Sequence, residues 1–168
     1  MQARVTLREA LEAARRVGAC AEALNEISRM ADWDEFSRHR NAPYWAYWYA
    51  RNVTKSRVPE IESIIAREAE TACLYAVEVV RGRWPEAESI IATDPWCAYC
   101  YANLVLRGRW PEAEPVIAQA PEWAYCYALG VIGGRWPEAE PVIARNPQFA
   151  HEYARDVIRG PWPEAEVA

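Results

Sequence analysis

Cys97 and Cys100 form a CxxC pair, and Cys20, Cys73 and Cys126 lie elsewhere in the chain. Thiols at that spacing hold zinc or cycle between dithiol and disulfide. A zinc site also wants a second CxxC or a pair of histidines at fixed spacing, and thiol redox chemistry wants a strand–helix–strand setting. Neither pattern is present in the sequence. The two histidines, His39 and His151, are far apart, and the recurring glutamates (Glu86/Glu88, Glu112/Glu114, Glu138/Glu140) are spaced by two, off a common helix face. No phosphate-binding loop, dinucleotide fingerprint or nucleophile elbow occurs. Without a nucleophile paired to a base, a carboxylate pair or a metal set, the expectation is a non-enzyme with no cofactor and no metal.

The elements that carry these residues explain them better than chemistry does. RWPEAE occupies 83–88, 109–114 and 135–140, and the variant PWPEAE occupies 161–166, a period of 26 residues. A second string recurs between them, with weaker copies upstream, five in all beginning at Pro43, Ala69, Pro95, Pro121 and Pro147. A fixed period of this size marks stacked supersecondary units. In this register Cys97 aligns with Trp45, Thr71, Trp123 and Phe149, and Cys100 with Trp48, Leu74, Cys126 and Glu152. No thiol is required at either position.

Each unit reads as two helices. In helix A, Ala46, Tyr49, Ala50 and Val53 and their counterparts in the other four copies fall at i, i+3, i+4 and i+7, one face of an α-helix. Pro95, Pro121 and Pro147 suit the first helical position, with Asp94 and Asn146 as N-caps. Gly82, Gly108, Gly134 and Gly160 suit the left-handed position that ends a helix, and Arg81, Arg107 and Arg159 its last turn. Helix B begins at Pro59, Pro85, Pro111, Pro137 and Pro163 and carries apolar pairs such as Ile64/Ile65 and Val116/Ile117. Pro115 and Pro141 inside it predict a 3₁₀ or distorted first turn. Trp84, Trp110, Trp136 and Trp162, one per copy, read as packing between repeats.

The fold class is therefore all-α: an α-solenoid of about 26-residue two-helix repeats over 43–168, behind an N-terminal helical cap at 1–42. Thr6 and Glu9 form a capping box opening a helix over 7–17, Gly18 ends it, and a second helix over 20–30 turns Ala23, Leu24 and Ile27 to one side. The stretch 31–43 reads as a decayed helix B. The final copy stops partway through its helix B, which suggests self-association through 160–168.

Net charge is −5, but residues 1–57 carry +3 and the remainder −8. The acidic part disfavours nucleic-acid backbone and suits a protein partner with a basic surface, although many of its glutamates are explained by helix starts. No run of eighteen apolar residues exists, so no membrane partner is expected, and the N-terminus lacks the apolar core of a secretion signal. Both features suggest a cytoplasmic protein.

Solenoids recognise partners through the positions that vary between copies. On helix A these hold Tyr44, Trp45, Tyr47 and Trp48, then Trp96 and Tyr99, then Trp123 and Tyr125. Aromatic anchors are enriched in binding hot spots, so these eight are the candidate partner-binding residues, set against the alternative that their rings cover the next repeat.

The repeated string resembles the arrays of a family of uncharacterised short-repeat proteins of phages and bacteria, similar to WAYxYARDVIxGRWPEAEPxIA and matched here over 43–165. The segment TLREALEAARRVGACAEAL resembles what precedes such arrays. No catalytic residue comes with the resemblance. It implies a helical-repeat scaffold, in a phage setting an inhibitor of a host defence or CRISPR complex. The alternatives are a protein that sequesters a nucleotide signal between stacked aromatics and a self-associating assembly component.

Overall fold

The computed structural model describes residues 5–163, and among them every regular element is helical. The expected all-α array of two-helix repeats is what the chain forms. It divides into two compact units, Met1–Arg81 and Gly82–Ala168.

In the first unit, α1 (Leu7–Arg16) starts at Thr6, whose hydroxyl accepts from the Glu9 amide while the Glu9 carboxylate takes the Thr6 N–H, the expected capping box. Gly18 ends that helix at φ +83°. Next come α2 (Ala21–Ile27) and α3 (Trp33–Arg38), the latter capped by Asp32. α3 packs against α4 (Ala42–Tyr49), the first helix A, as a helix B would. α4 also packs on α5 (Pro59–Ile65) and α6 (Ala69–Tyr75).

The second unit repeats that scheme with α7 (Pro85–Ile91), α8 (Pro95–Tyr101), α9 (Glu114–Ile117), α10 (Pro121–Tyr127), α11 (Glu140–Ile143) and α12 (Pro147–Tyr153). α8 packs on α9 and α10, and α10 on α11 and α12, so each helix A lies against its own helix B and the next helix A. The close approach is made by alanines: Ala98, Ala102, Ala124 and Ala128 are fully buried, as are Ile91, Ile117 and Ile143 from the B helices. Asp94 and Asn146 cap α8 and α12 through their side chains. In α9 and α11 the internal prolines displace the first turn: just past them the Val116 and Val142 amides bond back three residues to the Ala113 and Ala139 carbonyls, at 3.0 Å in both. The B helix proper then shrinks to four residues.

Two expectations about helix A need correction. All five copies end in a π turn, at Ala50–Thr54, Ala76–Val80, Ala102–Leu106, Ala128–Ile132 and Ala154–Ile158. This wider i→i+5 turn shifts the register, leaving Val53, Val79, Val105, Val131 and Val157 half-buried at the edge of the face assigned to them. The left-handed residue is also one place earlier than expected. It is Lys55, Arg81, Arg107, Gly133 or Arg159, at φ 53–72°, and not Gly82, Gly108, Gly134 or Gly160. The π turn lengthens the closing loop, so the Gly108 and Gly160 amides reach back six residues to the Ala102 and Ala154 carbonyls, both at 3.2 Å. Residues 164–168, most of the segment expected to self-associate, lie outside the described residues.

Candidate functional site

The recurring residues that looked chemical form a packing device. The Tyr127 hydroxyl accepts from the Trp110 backbone N–H at 2.7 Å and donates to Glu114 Oε1 at 2.9 Å. Arg109 grips the same carboxylate with two bonds of 2.8 and 2.7 Å. The set recurs as Tyr75–Val58–Glu62–Arg57, Tyr101–Trp84–Glu88–Arg83 and Tyr153–Trp136–Glu140–Arg135. Each tyrosine thus clips its own helix A to the turn before the preceding helix B. In the second unit its ring also packs on the tryptophan nine residues on, centroids 5.0 Å apart for Tyr101–Trp110, Tyr127–Trp136 and Tyr153–Trp162. Trp110, Trp136 and Trp162 are buried, in keeping with their expected packing role.

The electrostatics follow. The arginine holds Glu62, Glu88, Glu114 and Glu140 below the ordinary carboxylate range against the opposing effect of burial, and the tyrosine bond adds to it. Burial, aided by the carboxylate, pushes Tyr127 and Tyr153 up to about 12. These hydroxyls keep their protons and hold structure. The spacing of two sets the members of each glutamate pair off a common helix face, and it hides that the second member is bonded inward. The signal was the fixed Arg-to-Glu spacing of five together with a tyrosine thirteen residues on.

The eight candidate partner-binding residues fare unequally. In the first unit Tyr44 is 52% exposed, but Tyr47 is buried, its hydroxyl donating to Glu78 at 2.6 Å, and Arg51 pairs with that carboxylate at 2.6 Å. Tyr47 is therefore a packing residue, because a buried and bonded ring offers no surface to a partner. Trp45 is half-buried, stacked on His39 at 4.5 Å and 11°. Trp45, Trp48, Tyr49 and Phe36 line an apolar cavity of about 140 Å³ between α4 and the three helices before it. That volume suits a single ring and is well below the roughly 300–1,000 Å³ of ordinary small-molecule pockets.

In the second unit Trp96, Tyr99 and Trp123 are half-buried, and Tyr99 stacks on Trp123 at 5.9 Å and 23°. Tyr125 is tied off, its hydroxyl donating to Asp156 at 2.7 Å and its ring lying on Phe149. The π turns beside them hold what sequence reasoning overlooked. Leu104 is 52% exposed and Leu129 43% exposed. In the repeat register Leu129 aligns with Arg51 and Arg155, and Leu104 with Glu78 and Asp156. Where other copies place the charges of the pairs Arg51–Glu78 and Arg155–Asp156, the third copy thus has Asn103 and Leu104 and the fourth Leu129 and Gly130. Variation among the helix-A aromatics does not reveal these leucines, because their departure from the repeat is a loss of charge and not a gain of a ring.

Cys97 is buried in the core and Cys100 half-buried. Among the described residues no group of three or more His, Cys, Asp or Glu side chains gathers to hold a metal, and no helix is long and apolar enough to cross a membrane. The chain matches no known family, and no characterised protein or solved structure is similar enough to match.

Proposed function

We propose that the protein is a non-enzymatic, protein-binding helical-repeat scaffold whose contact surface includes the π-turn face of the second unit. The observation that carries this reading is the pair of large apolar side chains, Leu104 and Leu129, held out to solvent at positions that carry charge in other copies. Trp96 and the Tyr99–Trp123 stack stand on the same α8 and α10 helices, one turn or more before these leucines. Grouped exposed apolar residues mark interaction sites, and aromatic anchors supply most of their binding energy. Glu86, Glu112 and Glu138 are exposed beside the clips and suit a partner with a basic surface. The resemblance of the repeat strings points to a host defence or CRISPR complex as the partner class.

The scaffold, immobilised, should retain a discrete protein from a lysate of its source cell. A Leu104→Ser/Leu129→Ser double variant of equal helicity should lose it by tenfold or more, the order of two hot-spot truncations. Equal retention by that variant would remove the π-turn face from the binding surface.

A further inference from the structure

The repeat register places one hydroxyl against a carboxylate twice and against a glycine once. Tyr47 donates to Glu78, and Tyr125 donates to Asp156, each pair being 31 residues apart. A guanidinium completes both clusters, from Arg51 and from Arg155. Tyr99 occupies the same position in its own copy, and the residue 31 places on is Gly130. A Cβ built on Gly130 would lie 3.6 Å from the Tyr99 hydroxyl oxygen and 3.8 Å from Asn103 Oδ1, and Asn103 stands at the position of Arg51. Two polar side chains therefore converge where the other two clusters hold a carboxylate, and Gly130 supplies none.

We propose that Tyr99 and Asn103 clamp a carboxylate side chain brought by the protein partner into the notch over Gly130. The inference rests on the scaffold reading above and names one chemical feature of its partner. The Tyr99 hydroxyl is a neutral donor, and the Asn103 carboxamide can turn its N–H₂ toward an acceptor. A carboxylate bonded by such donors makes charge-assisted bonds, stronger than neutral ones. The surroundings define the rest of the ligand. Trp123 stacks on Tyr99, Leu129 precedes Gly130, and Leu104 follows Asn103, so the carboxylate should be flanked by apolar side chains. Burial raises the Tyr99 pKa, and the carboxylate and guanidinium that act on Tyr47 and on Tyr125 have no counterpart among the groups acting on it. Gly130 is not at positive φ, so a side chain can be placed there without backbone strain.

The test has two arms on the full chain. In the first, Gly130→Asp should rebuild the clamp internally. Its introduced carboxyl, titrated by NMR, should ionise well below the ordinary aspartate range and respond to Tyr99→Phe. An ordinary value unaffected by Tyr99→Phe would overturn the proposal without reference to any partner. In the second, the peptide acetyl-Gly-Phe-Glu-Phe-Gly-amide should bind at least tenfold more tightly than its Gln counterpart. Gly130→Asp should abolish that preference, and Gly130→Ala should retain it as the control for shape. Equal affinity of the two peptides, binding by neither, or a preference that survives Gly130→Asp would each overturn the clamp. Failure of these arms leaves the loss of capture in the Leu104/Leu129 variant as an independent test of the scaffold.

Discussion

The hydroxyl of Tyr127 does two jobs that phenylalanine cannot. It accepts from a buried backbone amide and donates to a carboxylate that an arginine also holds. Tyr127→Phe should therefore destabilise by about 1–3 kcal/mol, the cost of leaving a buried amide and an acceptor unsatisfied. Arg109→Ala should cost less, because that side chain is 52% exposed and its pair is screened by water. Urea unfolding of the two variants measures both, and the ordering is the point. The same clip sets the pH dependence. Glu62, Glu88, Glu114 and Glu140 have depressed folded pKa values, so their contribution is present above the unfolded value of 4.5 and lost as pH falls through the folded values. Tyr127 and Tyr153 have raised ones. Their contribution is full below the unfolded value of 10.0 and is lost as pH rises through about 12. Stability followed by circular dichroism should fall at both ends, and Tyr127→Phe/Tyr153→Phe should flatten the alkaline limb.

At the scale of the element, the helix starts, caps and prolines were legible because each acts locally. Thr6, Asp94, Asn146 and the proline at position five of helix B all behave as their types dictate. The π turn was not legible. Its i→i+5 bonding has no local residue signature, and the glycine beside it drew the left-handed assignment one place too far. The distinction is measurable within one copy, which has glycine at both places. Gly133 is at φ +72° and Gly134 is not at positive φ, and a Cβ at either would touch nothing within 4 Å. Gly133→Ala should cost about 1–2 kcal/mol for a non-glycine residue in the left-handed region, and Gly134→Ala should be close to neutral. Thermal unfolding of the two variants decides it. Arginine or lysine occupies the strained position in the other four copies, where a cation can also meet the helix dipole.

For the whole molecule, periodicity revealed the architecture but concealed part of the candidate site. A position that recurs is fixed by packing, so the clips could be read from the strings once their spacing was noticed. Tyr47 shows the limit of reading variation alone: it stands at a variable position and is nonetheless buried by a bond to a residue one repeat away. Leu104, Leu129 and Gly130 show the converse, since their importance lies in what their copies hold instead. Repeat stacking supplies the scaffold, and departures from the repeat supply the surface. Hydrogen–deuterium exchange on the captured complex tests this most directly. Exchange should slow at the π turns 102–106 and 128–132 when the partner binds, and the clip strings 83–88 and 109–114 should change less. Undiminished exchange at both π turns in a saturated complex would contradict the account.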